Sequence, residues 1–341
     1  MIDKIMPVEY TDLSHGWRQR KISLHQSEVD ALEDIKDHFQ RDGIYHATNI
    51  RKNIDKWVTS ELFDLVFTAY GGHVRALGLF NQSGDTLPDA ITDFPFLTEL
   101  FIYNTMSGED AWRLEKLPEN IGTLSRLKVL KIQGFEALKS LPEAIGDLQS
   151  LNNLRVDICG VHIVPESIGK LKNLKDLSVS GNNQLLTVPD SITSLKSLTI
   201  LSLEANSLIT LPNSIGKLES LKHLYLLNNQ LQSLPSSVCN LTSLENLYLS
   251  NNQLKILPEC IGNLKSLTRL SLDDNQLTNL PDSIGDLVLL EKLFVNHNQL
   301  QTLPSTIIKL ASLQDLRIKG NGTLRISPSI KEHLKIQGLE Y

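Results

Sequence analysis

Leu221-Lys-His-Leu-Tyr-Leu-Leu-Asn-Asn-Gln-Leu-Gln-Ser-Leu-Pro-Ser-Ser-Val-Cys-Asn-Leu-Thr-Ser243 runs straight into Leu244-Glu-Asn-Leu-Tyr-Leu-Ser-Asn-Asn-Gln-Leu-Lys-Ile-Leu-Pro-Glu-Cys-Ile-Gly-Asn-Leu-Lys-Ser266. The two stretches are the same 23-residue unit written twice. Working outward, eleven of the 13 prolines keep the phase: Pro88, Pro118, Pro142, Pro165, Pro189, Pro212, Pro235, Pro258, Pro281, Pro304 and Pro328. The gaps are 23 or 24 residues except for a first gap of 30. The core LxxLxLxxNxL is cleanest from Leu198, Leu221, Leu244, Leu267 and Leu290. Looser copies begin at Val74, Leu97, Leu127, Leu151, Leu174 and Leu313. A period of this length means stacked supersecondary units, each unable to bury its own apolar face alone.

Within a unit the alternation has period two. Leu224 and Leu226 point one way while Tyr225 points the other. Stacking then places each short strand beside the next at roughly 4.8 Å in a parallel sheet over one continuous leucine core. Asn182, Asn206, Asn229, Asn252, Asn275, Asn298 and Asn321 share one slot, where a carboxamide can satisfy backbone groups of neighbouring coils. Gln82, Thr105, Phe135 and Cys159 hold that slot in the N-terminal third, which predicts less regular coils there. Asn252→Ala is thus expected to destabilise, whereas Asn251→Ala, one residue earlier on the rim, is expected to be nearly neutral. Pro cannot donate to a ladder and fixes φ, so the Leu-Pro element suits entry into short 3₁₀ or helical turns on the far side.

The repeat resembles the leucine-rich-repeat family in its 23-residue LPxxIG subclass, known from intracellular Ras-group scaffolds and from bacterial proteins that include secreted effectors. The resemblance spans roughly residues 74–326. It implies an α/β solenoid: a horseshoe with a curved parallel sheet, short convex turns and a capped N-terminus. The segment from Trp57 to Pro88 resembles the entry region of plant-type and bacterial arrays, without the cysteines of the extracellular plant versions.

Residues 1–73 lack the repeat and read as a helical cap or small helical module. Three helices are predicted: one from the N-cap Ser27, with Val29, Leu32, Ile35, Lys36 and Phe39 at helical spacing, one over 48–56, and one from Thr59 to Tyr70 ended by Gly71-Gly72. The mixed charges of 28–42 read as a solvated face. Residues 327–341 read as a C-terminal cap, with a short helix after Ser327-Pro328.

Composition narrows the function. A net charge of −6 gives no reason to bind nucleic acid or anionic lipid. No apolar run is long enough to span a membrane, and the first dozen residues do not form a classical signal peptide. Cys159, Cys239 and Cys260 are too few for a disulfide framework, which suggests a reducing compartment. The chain is therefore expected in the cytoplasm, or delivered into a host cell without a classical signal. No metalloprotease, P-loop, nucleophile-elbow or kinase motif occurs, and no two histidines have metal-ligand spacing. The reading is a monomeric, non-enzymatic scaffold without cofactor that binds a polypeptide on the concave face. The alternative is the recognition part of a larger enzyme, such as a ubiquitin ligase or kinase.

Strand positions between the leucines face the concave side, and two aromatic clusters fall there. One is Phe80, Phe101 and Tyr103. The other is Tyr225, Tyr248 and Leu227, with Phe294 further on and His223 and Arg269 at its edge. Exposed aromatics on a rigid sheet are typical anchors for a protein partner. The extra residues around Asn104–Trp112 leave Trp112 as either a further anchor or a side chain folded back onto the array.

Overall fold

The computed structural model describes residues 5–12, 18–39, 45–46, 65–82, 84–105 and 112–336, in two compact units, Met1–Leu174 and Lys175–Tyr341. In the first unit, β1 (Ile5–Asp12) and β2 (Arg18–His25) form an antiparallel hairpin, and α1 (Gln26–His38) follows. Strand β3 (Tyr45–His46) lies parallel to β1 and to β4 (Leu65–Tyr70), which pairs antiparallel with β5 (His73–Phe80). Then β6 (Glu99–Tyr103), β7 (Val129–Gln133) and β8 (Asn153–Asp157) add in parallel. In the second unit, seven parallel strands follow in chain order: β9 (Asp176–Ser178), β10 (Ile200–Ser202), β11 (His223–Tyr225), β12 (Asn246–Tyr248), β13 (Arg269–Ser271), β14 (Lys292–Phe294) and β15 (Asp315–Arg317). Each of the eleven repeats thus supplies one strand, β5 to β15. The far side of the coils is made of 3₁₀ turns of three to five residues.

The N-terminal segment departs from the helical reading. Leu65–Tyr70, expected as the end of a third helix, is a strand that covers the free edge of the first repeat. Leu62, Phe63, Val66 and Phe67 suit either period, and the two glycines decide it. Gly71 and Gly72 have φ of 63° and 79°, so they form a hairpin turn rather than a helix stop. The expected second helix, 48–56, lies outside the described residues. Helix α1 is present and buries Ala31, Leu32 and Ile35, but it begins after His25 with no side-chain cap. Its Glu28 is fully buried, not solvated. Glu28 Oε2 accepts the Val74 N–H at 3.3 Å and lies 3.4 Å from His73 Nδ1, whose ring stacks on His25 at 4.1 Å. A carboxylate thus ties the helix to the first repeat strand. At the other end Ser327 Oγ accepts the Ile330 N–H at the start of α2 (Pro328–Ile336), which buries Ile330 and Leu334.

The asparagine slot works as a bridge. Asn252 Nδ2 donates to Leu249 O of its own coil at 3.0 Å and to Leu226 O of the preceding coil at 2.9 Å; its Oδ1 accepts Leu231 N–H at 3.0 Å. Asn229, Asn275, Asn298 and Asn321 repeat the pattern. Where other residues hold the slot, β6, β7 and β8 run for five residues rather than three.

The residue before the slot is left-handed in nearly every coil. Asn228, Asn251, Asp274 and His297 have φ of 50–57°. This corrects the expectation for Asn251. Alanine is strained there, whereas Asn and Gly are not. Asn252→Ala should cost about 1–3 kcal/mol in urea melts, Asn251→Ala about 1 kcal/mol, and Asn251→Gly less than about 0.5 kcal/mol. Ile158 occupies the same site with φ of 54° and is 57% exposed, a β-branched residue in a conformation it disfavours. Ile158→Asn should therefore raise stability by about 1 kcal/mol.

Three cysteines are too few for a disulfide framework, yet two of them pair. On the far side each coil's Gly slot lies on the residue 21 positions later. A Cβ on Gly216 would overlap the carbonyl oxygen of Ser237, and one on Gly262 that of Ser283. The same geometry brings Cys239, in the Gly slot of its coil, against Cys260, and the two form a disulfide with Cα atoms 5.7 Å apart. Thr193 and Ser214, another non-Gly pair at this spacing, meet through their hydroxyls at 3.1 Å. Cys159 is buried, and desolvation pushes its thiol up to about 12, against the opposing pull of backbone hydrogen bonds from Phe135 and Gly134. Raised so far, it stays protonated at neutral and mildly alkaline pH. A thiol reagent at pH 8 should find almost no reactive thiol in the native oxidised chain, one after denaturation and three after reduction. Reduction should lower stability by about 3 kcal/mol, the effect of opening a loop of this length.

Candidate functional site

The outward face of the sheet, opposite the leucine core, is where one coil can differ from the next without disturbing the core. In the second unit the register lines up Tyr225, Tyr248, Ser271, Phe294 and Arg317 in one column, and His223, Asn246, Arg269, Lys292 and Asp315 in the other. Leu224, Leu247, Leu270 and Leu293 between them are fully buried. Because the columns are set by backbone pairing, each side chain has a fixed lateral position and only its chemistry varies.

Tyr225 and Tyr248 stack at 4.9 Å with planes 7° apart, and both are half-buried, as are Leu227 and His223. His223 Nδ1 meets the Asn246 amide at 2.8 Å. Ser271, one coil on, is small and buried, and so leaves a gap in the aromatic column. The Arg269 guanidinium lies over that gap, 5.8 Å from the ring centres of both Tyr248 and Phe294, and donates to Tyr248 Oη at 3.2 Å. Arg317 lies over Phe294 at 4.3 Å and is itself held by Asp315 through two hydrogen bonds, which raise its pKa. An aromatic pair such as Tyr225 and Tyr248 contributes about 0.5–1.5 kcal/mol, and the guanidinium contacts keep the rings in place.

The N-terminal cluster is a correction. Phe80, Phe101 and Tyr103 are 1%, 0% and 8% exposed. Phe80 stacks on Tyr103 at 5.8 Å, and a Cβ on Gly78 would meet the Phe80 ring, so the lack of a side chain there seats the ring on the sheet. Trp112 folds back rather than anchoring a partner. It is buried between Phe39, just past α1, and Phe135. Sequence showed these aromatics on the outward face, but not that the same chain covers them. Two features had no sequence signal: the burial of Glu28, hidden in a run of mixed charges, and the bridging of Tyr248 and Phe294 by Arg269, which depends on side-chain conformation.

Among the described residues no set of His, Cys, Asp and Glu side chains comes together to hold a metal, and no helix is long and apolar enough to cross a membrane.

Comparison with known proteins agrees with this geometry. A leucine-rich-repeat region model matches residues 190–276, and a leucine-rich-repeat model matches 265–322. No curated protein matches by sequence. Among solved structures, an internalin from Listeria monocytogenes is 19% identical, with 79% of this chain and 82% of that one covered and a TM-score of 0.54. A chain of the Toll–Spatzle complex of Drosophila is 20% identical, covering 76% and 35%, at 0.62. The receptor-kinase ectodomain GASSHO1/SCHENGEN3 of Arabidopsis thaliana is 21% identical, covering 86% and 41%, at 0.58. The chain thus spans less than half the length of the last two. Each shares the fold, and the chain carries a leucine-rich-repeat solenoid.

Proposed function

We propose that this chain is a non-enzymatic scaffold that binds a polypeptide partner on the outward face of the sheet in its second unit. The observation that carries the reading is the stacked pair Tyr225 and Tyr248 beside Leu227, with Arg269 and Phe294 next in line and His223 at the edge. These half-exposed aromatics have no role in the leucine core, and a rigid aromatic patch on an otherwise polar face is the usual form of a binding hot spot. The repeats belong to the 23-residue LPxxIG subclass on this reading, since the Gly slot is required by the next coil's backbone at Gly216 and Gly262. The Cys239–Cys260 pair favours an oxidising compartment, and hence a secreted chain over a cytoplasmic one.

The test is the double variant Tyr225→Ala, Tyr248→Ala. Loss of the stacked pair should lower the melting temperature by only a few degrees. Affinity for a partner captured by the unmodified chain should fall at least about 30-fold, or about 2 kcal/mol. A captured partner whose affinity survives the double change would place the anchor elsewhere.

A further inference from the structure

Resting on that reading of the face, we propose that the partner segment is an extended acidic peptide, with an Asp or Glu carboxylate seated on Arg269 and a large apolar residue on the tyrosine pair. Three observations combine. First, Arg269 is held in place but not neutralised. Its guanidinium lies between Tyr248 and Phe294 and spends one N–H on Tyr248 Oη, and no carboxylate pairs with it among the described residues. Arg317, two strands on, is neutralised by Asp315. A half-exposed guanidinium with its orientation fixed by aromatic faces has a planar fork of donors left for a carboxylate, the geometry that a guanidinium matches best.

Second, the local charge opposes the global one. The chain carries −6 overall. Yet on the outward positions of the coils that carry β11–β15, Arg269, Lys292, Arg317 and Lys319 outnumber Asp273 and Asp315, with Glu245 and Asp274 at the rim. Asp273 is already engaged, accepting the Asn296 N–H. A basic island in an acidic chain selects an acidic segment. A nucleic acid is disfavoured by the same numbers. Three unneutralised cations, Arg269, Lys292 and Lys319, beside Asp273, Asp274 and Glu245 do not make a phosphate track, and the tyrosines stack on each other rather than standing open to a base.

Third, the spacing sets a motif. The Arg269 guanidinium lies over Ser271, which stands in the column of Tyr225 two strands on, roughly 10 Å away at about 4.8 Å per strand. A chain crossing the strands advances about 3.3 Å per residue, so apolar and acidic residues should be about three apart.

The experiment pans a random dodecapeptide phage library against the full oxidised chain, then measures synthetic winners by fluorescence anisotropy against variants. The proposal predicts enrichment of a large apolar residue three positions from Asp or Glu. Arg269→Gln should weaken such a peptide at least tenfold, and Arg269→Lys by an intermediate factor, since charge remains but the fork is lost. Replacing the peptide's acid by its amide should weaken binding to the unmodified chain and matter little to Arg269→Gln. A thermal melt within a few degrees of the unmodified chain shows that each variant is folded. Peptides that depend on Tyr225 and Tyr248 but not on Arg269 or an acid would overturn the carboxylate site and leave the patch standing. Peptides indifferent to the tyrosines as well, or no enrichment at all, would overturn both. A dodecathymidine probe that binds in an Arg269-dependent way, with no acidic peptide selected, would replace this proposal with a nucleic-acid site.

Discussion

A carboxamide buried between two coils is the interaction on which the array depends. A 23-residue unit with five to seven leucines gains little by folding alone, because much of its apolar surface stays open until a neighbour stacks on it. Stacking in turn buries turn carbonyls and amides that water would otherwise satisfy, each costing about 1–3 kcal/mol if left unpaired. Asn252 and its counterparts answer three such groups at once, two carbonyls and one amide, and do so across the coil boundary. The hydrophobic term therefore drives stacking, and the asparagine sets its register.

The same economy explains what is free to vary. The leucine positions, the asparagine slot and the left-handed residue before it are all dictated by the neighbouring coil. Only the outward strand positions and the far-side turns escape that demand. The far-side turns are used once for a covalent link, Cys239–Cys260, which joins the two coils whose strands carry Tyr225 and Tyr248. Staple and aromatic pair thus sit on opposite sides of the same two coils, and the disulfide holds together the part of the second unit that presents the patch.

The repeats were legible in the sequence because period, phase and residue type all say the same thing eleven times. The strands, the 3₁₀ turns and the asparagine bridge followed from that repetition. What was not legible lay where nothing repeats. Residues 65–70 read as helix because Leu62, Phe63, Val66 and Phe67 suit either period, and only the positive φ at Gly71 and Gly72 separates the two. Cys239 and Cys260 stand 21 apart rather than 23, so they look unrelated until the Gly slot is seen to face the residue 21 further on. The two aromatic clusters were equivalent on paper. Yet Phe80, Phe101 and Tyr103 are buried, whereas Tyr225 and Tyr248 are only half-buried.

That contrast is the centre of the functional account, and hydroxyl-radical footprinting of the free chain reads it directly. Side-chain oxidation scales with solvent access, so Tyr225, Tyr248 and Phe294 should be modified readily while Phe80, Phe101 and Tyr103 are spared. On addition of a bound peptide, modification of the tyrosine pair should fall. Modification of Phe101 and Tyr103 as strong as that of Tyr225, or a tyrosine pair already protected in the free chain, would contradict the assignment of the open face to the second unit.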